Sequence, residues 1–358
     1  MDSLRAVAAG LVVWTHLSYD LLPVSGHNPA WLAFLYRLPP LLAVGRLGVD
    51  VFFAISGFVI CRSFGGPPEG SSRRFLLRRF CRLYPVFWVS VAVAVGAEWL
   101  GGNWPPFAVI AANATMAPAT LGQPALIGLY WTLNIELIFY GLCLVLHRLG
   151  RLDHRGVLVG GILLLAAARR TSHLAGKLTG VDLSIPETGG VWLVSLALMF
   201  WGALFRSVYE ETGGFRHAPW RRAGPWLLLL VTLALVDLHD PRLKTRLLHQ
   251  PLDQWGEGLV LLNSLMLFAL WVGLLRVEVR FLTFVGVVSY SLYLFHPFVS
   301  ALLVEGLRRL DAGLPLWALL TGAGACSVAF AALLYRWVER PAILLGRRWT
   351  EPDGQQRT

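Results

Sequence analysis

The sequence predicts an all-α polytopic integral membrane protein, with about ten transmembrane helices in one bundle. Three observations carry that expectation. The 358 residues are 56% hydrophobic and only 15% charged, whereas a soluble domain carries about 25% charge. Uncharged apolar runs recur from end to end, each close to the roughly 20 residues that cross a bilayer. Many of the 15 Trp stand at the ends of those runs, where an interfacial aromatic belt places them.

The runs place spans near 4–22, 46–62, 83–100, 127–147, 156–169, 191–206, 225–238, 255–275, 281–303 and 315–337. The fifth and seventh are short. Residues 104–120 are apolar but broken by Pro105, Pro106 and Pro118, so a re-entrant or surface segment is expected there. The first run holds a His and no small-residue cleavage site, unlike a signal peptide. Most Lys and Arg fall at Arg5, in 62–82, 148–155, 206–222 and 276–280, and in the C-terminal tail. These are alternate connections, so the positive-inside rule puts both termini in the cytoplasm, with the chain in the cell (cytoplasmic or inner) membrane. The net charge of +10 follows from that bias, and no nucleic-acid partner is expected. Cys61, Cys81, Cys143 and Cys326 have no CxxC spacing and are expected to be reduced. There is no ligand-spaced Cys/His set for a metal, no phosphate-binding loop, no HExxH and no GxSxG.

Ionisable residues inside spans are costly and default to function. Arg5 and His16 are eleven residues apart on the first helix, within about 20° of the same face and about 16 Å apart along the axis. His16 suits proton abstraction from a hydroxyl; the alternative is a His bonded to a neighbouring helix. The second span opens with Gly48-Val-Asp50-Val-Phe-Phe-Ala-Ile-Ser56-Gly57-Phe58. Asp50 falls near its outer end, as a site residue or an interfacial carboxylate. Ser56 and Gly57 read first as helix packing. Before the third span, Arg78, Arg79 and Arg82 gather on one helical face, for a phosphate-rich ligand or as a topology anchor on anionic lipid. Glu136 in the fourth span and His296 in the ninth join His16 and Asp50 in the outer half, where all four are expected to share a cavity. Pro297 interrupts the backbone ladder beside His296. Glu339 is expected as a salt-bridged helix end.

In order along the chain, these motifs resemble membrane acyltransferase family 3, the O-antigen and macrolide O-acyltransferase group. The resemblance is carried by Arg5-x10-His16, the 48–58 stretch, Arg79-x-x-Arg82-Leu-Tyr-Pro85, Trp131-Thr-Leu-x-x-Glu136, Ser289-Tyr290-Ser-Leu-Tyr-Leu-x-His296-Pro297 and Glu339-x-Pro341. It spans nearly the whole chain. It implies a transmembrane acyltransferase domain over 1–345, acting alone, and a cytoplasmic tail over 346–358. It implies an acyl-CoA (acetyl-CoA) co-substrate on the cytoplasmic side and no tightly bound cofactor. His16 is implied as the base, with Arg5 in the same motif, and Arg79 and Arg82 as donor contacts. Glu136 is expected to assist catalysis. Asp50, Ser56, Tyr290 and His296 are expected to contact donor or acceptor. The acceptor expected is a hydroxyl of a glycan or glycosylated metabolite. The rival reading is a transporter or flippase of modified glycans with a His/Glu proton relay; the lack of paired Gly/Pro-broken spans in two similar halves weighs against it.

Overall fold

A computed structural model describes residues 1–26, 43–64, 70–179, 187–215, 221–239, 257–310 and 313–350. The tail beyond Thr350 lies outside the described residues, as do 65–69 of the basic loop before the third span. The described residues are helical, with no strand. In chain order the helices are α1 (Asp2–Leu21), α2 (Val44–Ile60), α3 (Ser71–Leu100), α4 (Phe107–Ala114), α5 (Tyr130–Arg148), α6 (Arg155–Thr179) and α7 (Glu187–Glu211). They continue with α8 (Ala223–His239), α9 (Glu257–Leu270), α10 (Arg280–Val287), α11 (Ser289–Leu310), α12 (Leu316–Leu334) and α13 (Arg340–Arg348).

Eight stretches among the described residues are helices long and apolar enough to cross a membrane. α6 and α8 stand where the fifth and seventh spans are expected; the apolar part of α8 is shorter, at Ala223–Leu238. The protein is a multi-pass membrane protein. The Pro-broken 104–120 region holds only the eight-residue α4 and a short 3-10 turn, far below spanning length. Trp99, Trp104, Trp317 and Trp349 are exposed near helix ends, as an interfacial belt requires.

Backbone approach, rather than side-chain bulk, sets two of the crossings. At α2–α7 a Cβ on Gly57 would strike the Met199 carbonyl, and one on Gly202 would strike the Ala54 carbonyl. At α1–α10 a Cβ on Gly286 would strike the Asp2 carbonyl. Small residues at such crossings let helices gain dispersion contact where lipid supplies no hydrophobic drive. α1 then runs parallel to α10 and α11 in constant register: Ser3 bonds Thr283, His16 bonds His296 and Asp20 bonds Ser300, each pair 280 residues apart. α12 covers α1 and α11, while α6, α8 and α9 stack on the α2–α7 side.

The last span does not stop at Glu339. α12 passes through a π-turn at Tyr335–Glu339 into α13. Glu339 is therefore inside a continuous helix and 1% exposed, which corrects the expected salt-bridged end. One of its oxygens accepts the Ser291 hydroxyl at 2.7 Å, and the other has no hydrogen-bond partner. α13 returns to α3, where Gly346 meets Cys81 and Arg78 donates to Thr350 at 2.8 Å. The start of α1 and the end of α13 thus lie toward the same end of the bundle, the start of α3.

Candidate active site

α1, α2, α3, α5 and α11 enclose a cavity of about 120 Å³. Each reaches it by its register. At one end stand Arg5 of α1, Ile60 of α2, Arg79 and Arg82 of α3, Tyr140 of α5 and Ser289 of α11. Toward the other end lie Val49 and Phe52 of α2, Thr132 of α5 and Tyr293 of α11. Six of the nine expected site residues line it: Arg5, Ser56, Arg79, Arg82, Glu136 and Tyr290.

The arginine end is held by a connected set of contacts. Arg5 pairs with Asp2 at 2.6 Å. Arg79 donates to the Ser63 hydroxyl at 2.6 Å and lies over the Tyr140 ring, 5.2 Å from its centroid. The Tyr140 hydroxyl donates to Glu136 Oε1, which also accepts Ser56 at 3.4 Å. Tyr290 donates to the Leu83 carbonyl at 2.9 Å, tying α11 to α3. Arg82 makes no hydrogen bond or ion pair with the described residues. Three guanidiniums therefore converge at this end: Arg5 is paired with Asp2, Arg82 acts electrostatically on the buried Glu339, and Glu136 is the carboxylate that lines the cavity among the described residues.

His16 and His296 do not line the cavity. They form a stacked pair beyond it, with His16 Nδ1 3.0 Å from His296 Nε2 and ring centroids 5.1 Å apart. Tyr293 connects the two regions: it lines the cavity, and its ring is 6.3 Å from that of His296. Tyr293 is fixed in turn by the Thr132 hydroxyl at 2.8 Å and the Leu129 carbonyl at 3.1 Å. The expected single cavity for His16, Asp50, Glu136 and His296 is thus divided. Glu136 belongs with the arginines because Tyr140, one turn along α5, bridges it to Arg79. Asp50 is buried and pairs with Arg46, one turn back on α2, at 2.9 Å. Ser56 and Gly57 also divide: Gly57 serves packing, while the adjacent Ser56 faces the cavity.

Several residues of the site were missed in the sequence. Tyr140, Asp20 and Arg46 each lie four positions from a residue that was singled out, so the i,i+4 rule could have found them. Ser63 and Ser300 carry no such local signal. Among the described residues no group of three or more His, Cys, Asp or Glu is placed to hold a metal ion.

The fold is thus a helical membrane bundle with a charged internal cavity and a histidine pair beside it. A family model described as an acyltransferase domain matches residues 1–336, and the chain belongs to that family, acyltransferase 3. It is an acyltransferase enzyme. Among curated relatives it is similar to the exopolysaccharide production protein ExoZ of Rhizobium meliloti (strain 1021), 28% identical over 338 residues, covering 85% of this chain and 91% of that protein. It is also similar to nodulation protein 10 of Rhizobium leguminosarum bv. viciae, 26% identical over 229 residues, covering 56% and 59% respectively. A third, protein 2 in the picA locus of Rhizobium radiobacter, is 33% identical over 96 residues, 26% of this chain and 41% of that protein. No solved structure matches.

Proposed function

We propose that this enzyme moves a short acyl group, such as acetyl, from acyl-CoA to a hydroxyl of a glycan or glycosylated metabolite. One observation carries the donor reading: Arg5, Arg79 and Arg82 converge at one end of a cavity whose only lining carboxylate among the described residues is Glu136. Guanidinium forks match phosphate oxygens, and coenzyme A is the phosphate-rich form in which acyl groups are carried. Arg79 and Arg82 hold the phosphates, and the pantetheine arm enters the cavity past Glu136 toward Tyr293. The glycan acceptor is supported by the match to an exopolysaccharide production protein.

His16 is the base. The acceptor hydroxyl proton passes to the His16 imidazole as the oxygen bonds to the thioester carbonyl carbon. The carbon–sulfur bond breaks, and the proton returns to the departing sulfur, giving ester and free coenzyme A. Ser56 and Tyr140 fix Glu136 on the cavity wall, where it positions the thioester arm. Both termini and the arginine end face the cytoplasm, in accord with the Lys and Arg bias of the loops.

The test uses purified protein in detergent with acetyl-CoA and a panel of glycan acceptors. Coenzyme A release and acylated product should both appear, and should both require His16. Protein that is folded yet binds no acyl-CoA in detergent or in liposomes overturns the donor assignment.

A further inference from the structure

We infer that His296 fixes the tautomer of His16, leaving His16 Nε2 as its bare, proton-accepting nitrogen. The inference rests on the reading of His16 as the base and deepens it. It begins with the backbone of α11. Pro297 lies inside that helix and has no N–H, so the Tyr293 carbonyl four residues back loses its helical donor. A freed carbonyl inside a membrane protein requires another donor. The His296 ring lies beside it, with its Nδ1 3.1 Å from the carbonyl of Leu292, one residue before Tyr293.

That neighbour is a carbonyl oxygen and can only accept, so His296 Nδ1 carries the proton. His296 is fully buried, where a neutral imidazole is the stable form. Its Nε2 is then a lone-pair acceptor. The atom facing that lone pair, at 3.0 Å, is His16 Nδ1. Two bare nitrogens at that distance would repel, so His16 Nδ1 carries a proton and donates it. In a neutral imidazole with Nδ1 protonated, the lone pair is on Nε2.

The arrangement therefore reads as a chain from backbone carbonyl to base. The Leu292 carbonyl holds His296 in the Nδ1–H form, and His296 Nε2 holds His16 in the Nδ1–H form. The second imidazole does the work that a carboxylate does beside a catalytic histidine elsewhere, without adding a negative charge to the bundle. His296 is a positioning residue, acting on the reaction only through His16. The next turn repeats the geometry: Asp20, one turn beyond His16, accepts the hydroxyl of Ser300, one turn beyond His296, at 2.7 Å. That rung holds α1 and α11 in the register the histidine pair needs.

The spectroscopic test needs no substrate. In protein labelled with 15N-histidine, with His16→Gln and His296→Gln used for assignment, the His16 signals should show a protonated Nδ1 and a bare Nε2. In His296→Leu that preference should vanish. The kinetic test compares two variants. His296→Leu should lower kcat about tenfold, on the scale of one neutral hydrogen bond, with the KM for acyl-CoA unchanged. His296→Gln, whose amide oxygen accepts from His16 Nδ1, should recover most of that loss. A wild-type spectrum with His16 Nε2 protonated overturns the inference even if the leucine variant does not fold. So does a folded His296→Leu with wild-type kcat. If the spectrum is as expected but acyl-CoA supports no turnover in wild type, the donor reading fails and the tautomer assignment stands.

Discussion

In the proposed mechanism, His16 and Arg82 separate the two tasks of the site at the scale of single side chains. His16 pairs with His296, beyond Tyr293 and away from the guanidiniums. His16→Gln should therefore lower transfer by about 10²–10⁴-fold, the usual contribution of a positioned base, while acyl-CoA binding stays intact. Measured product formation and donor affinity in the same preparation check this; a folded variant with wild-type turnover would move the proton step to another group. Arg82 makes no hydrogen bond or close ion pair among the described residues, although its charge acts on the buried Glu339. Arg82→Ala should raise the KM for acyl-CoA by roughly 10- to 100-fold, as expected for one charge-assisted phosphate contact of about 1.5–3 kcal/mol. An unchanged KM would reduce the arginine cluster to a topology anchor.

At the scale of helices, the site depends on how closely backbones approach. Ser56 reaches Glu136 only because α2 is seated against its neighbours, and Gly57 and Gly202 allow α2 and α7 to touch through main-chain atoms. Gly57→Val inserts a branched side chain against the Met199 carbonyl. It should destabilise the detergent-solubilised protein by at least about 1–3 kcal/mol, the scale of overpacking a filled interior. Gly10→Ala is the control, because a Cβ there meets nothing within 4 Å. A shift in thermal midpoint for the first and not the second is the expected result; equal midpoints would mean the crossing tolerates separation. α1 and α11 are coupled by polar rungs instead, so their alignment and the histidine geometry are one property.

Across the whole molecule, the arginines and the histidine pair are offset along the bundle axis, with Arg5 and His16 about 16 Å apart on α1. Under the proposed function, that offset puts donor phosphates at one face and proton transfer deeper in the membrane once the arginine end is cytoplasmic. Single cysteines in a cysteine-free background test the orientation. Probes at Gly70 and Gly213 should react with impermeant reagent only from the cytoplasmic side, and probes at Gly102 and Asn103 only from outside. Labelling of Gly70 from outside would invert the molecule and remove the donor from reach of the arginines.

The sequence by itself determined the membrane-spanning helical class, the places of the helices and the family. Apolar run length and loop charge are local quantities that survive without tertiary contacts. The ordered motifs also hold most of the residues of the cavity wall, Arg79, Arg82, Glu136 and Tyr290 among them. Only the tertiary structure decided how those residues divide. Depth along a span says nothing of azimuth or of which helices adjoin, so four polar groups at similar depth could not be sorted. Packing of α1 against α11 joined His16 to His296, a one-turn contact claimed Asp50 for Arg46, and Tyr140 drew Glu136 toward Arg79. Glu339 was misread for the same reason: its surroundings are set by Ser291, on another helix and 48 residues away, and no local pattern encodes that approach.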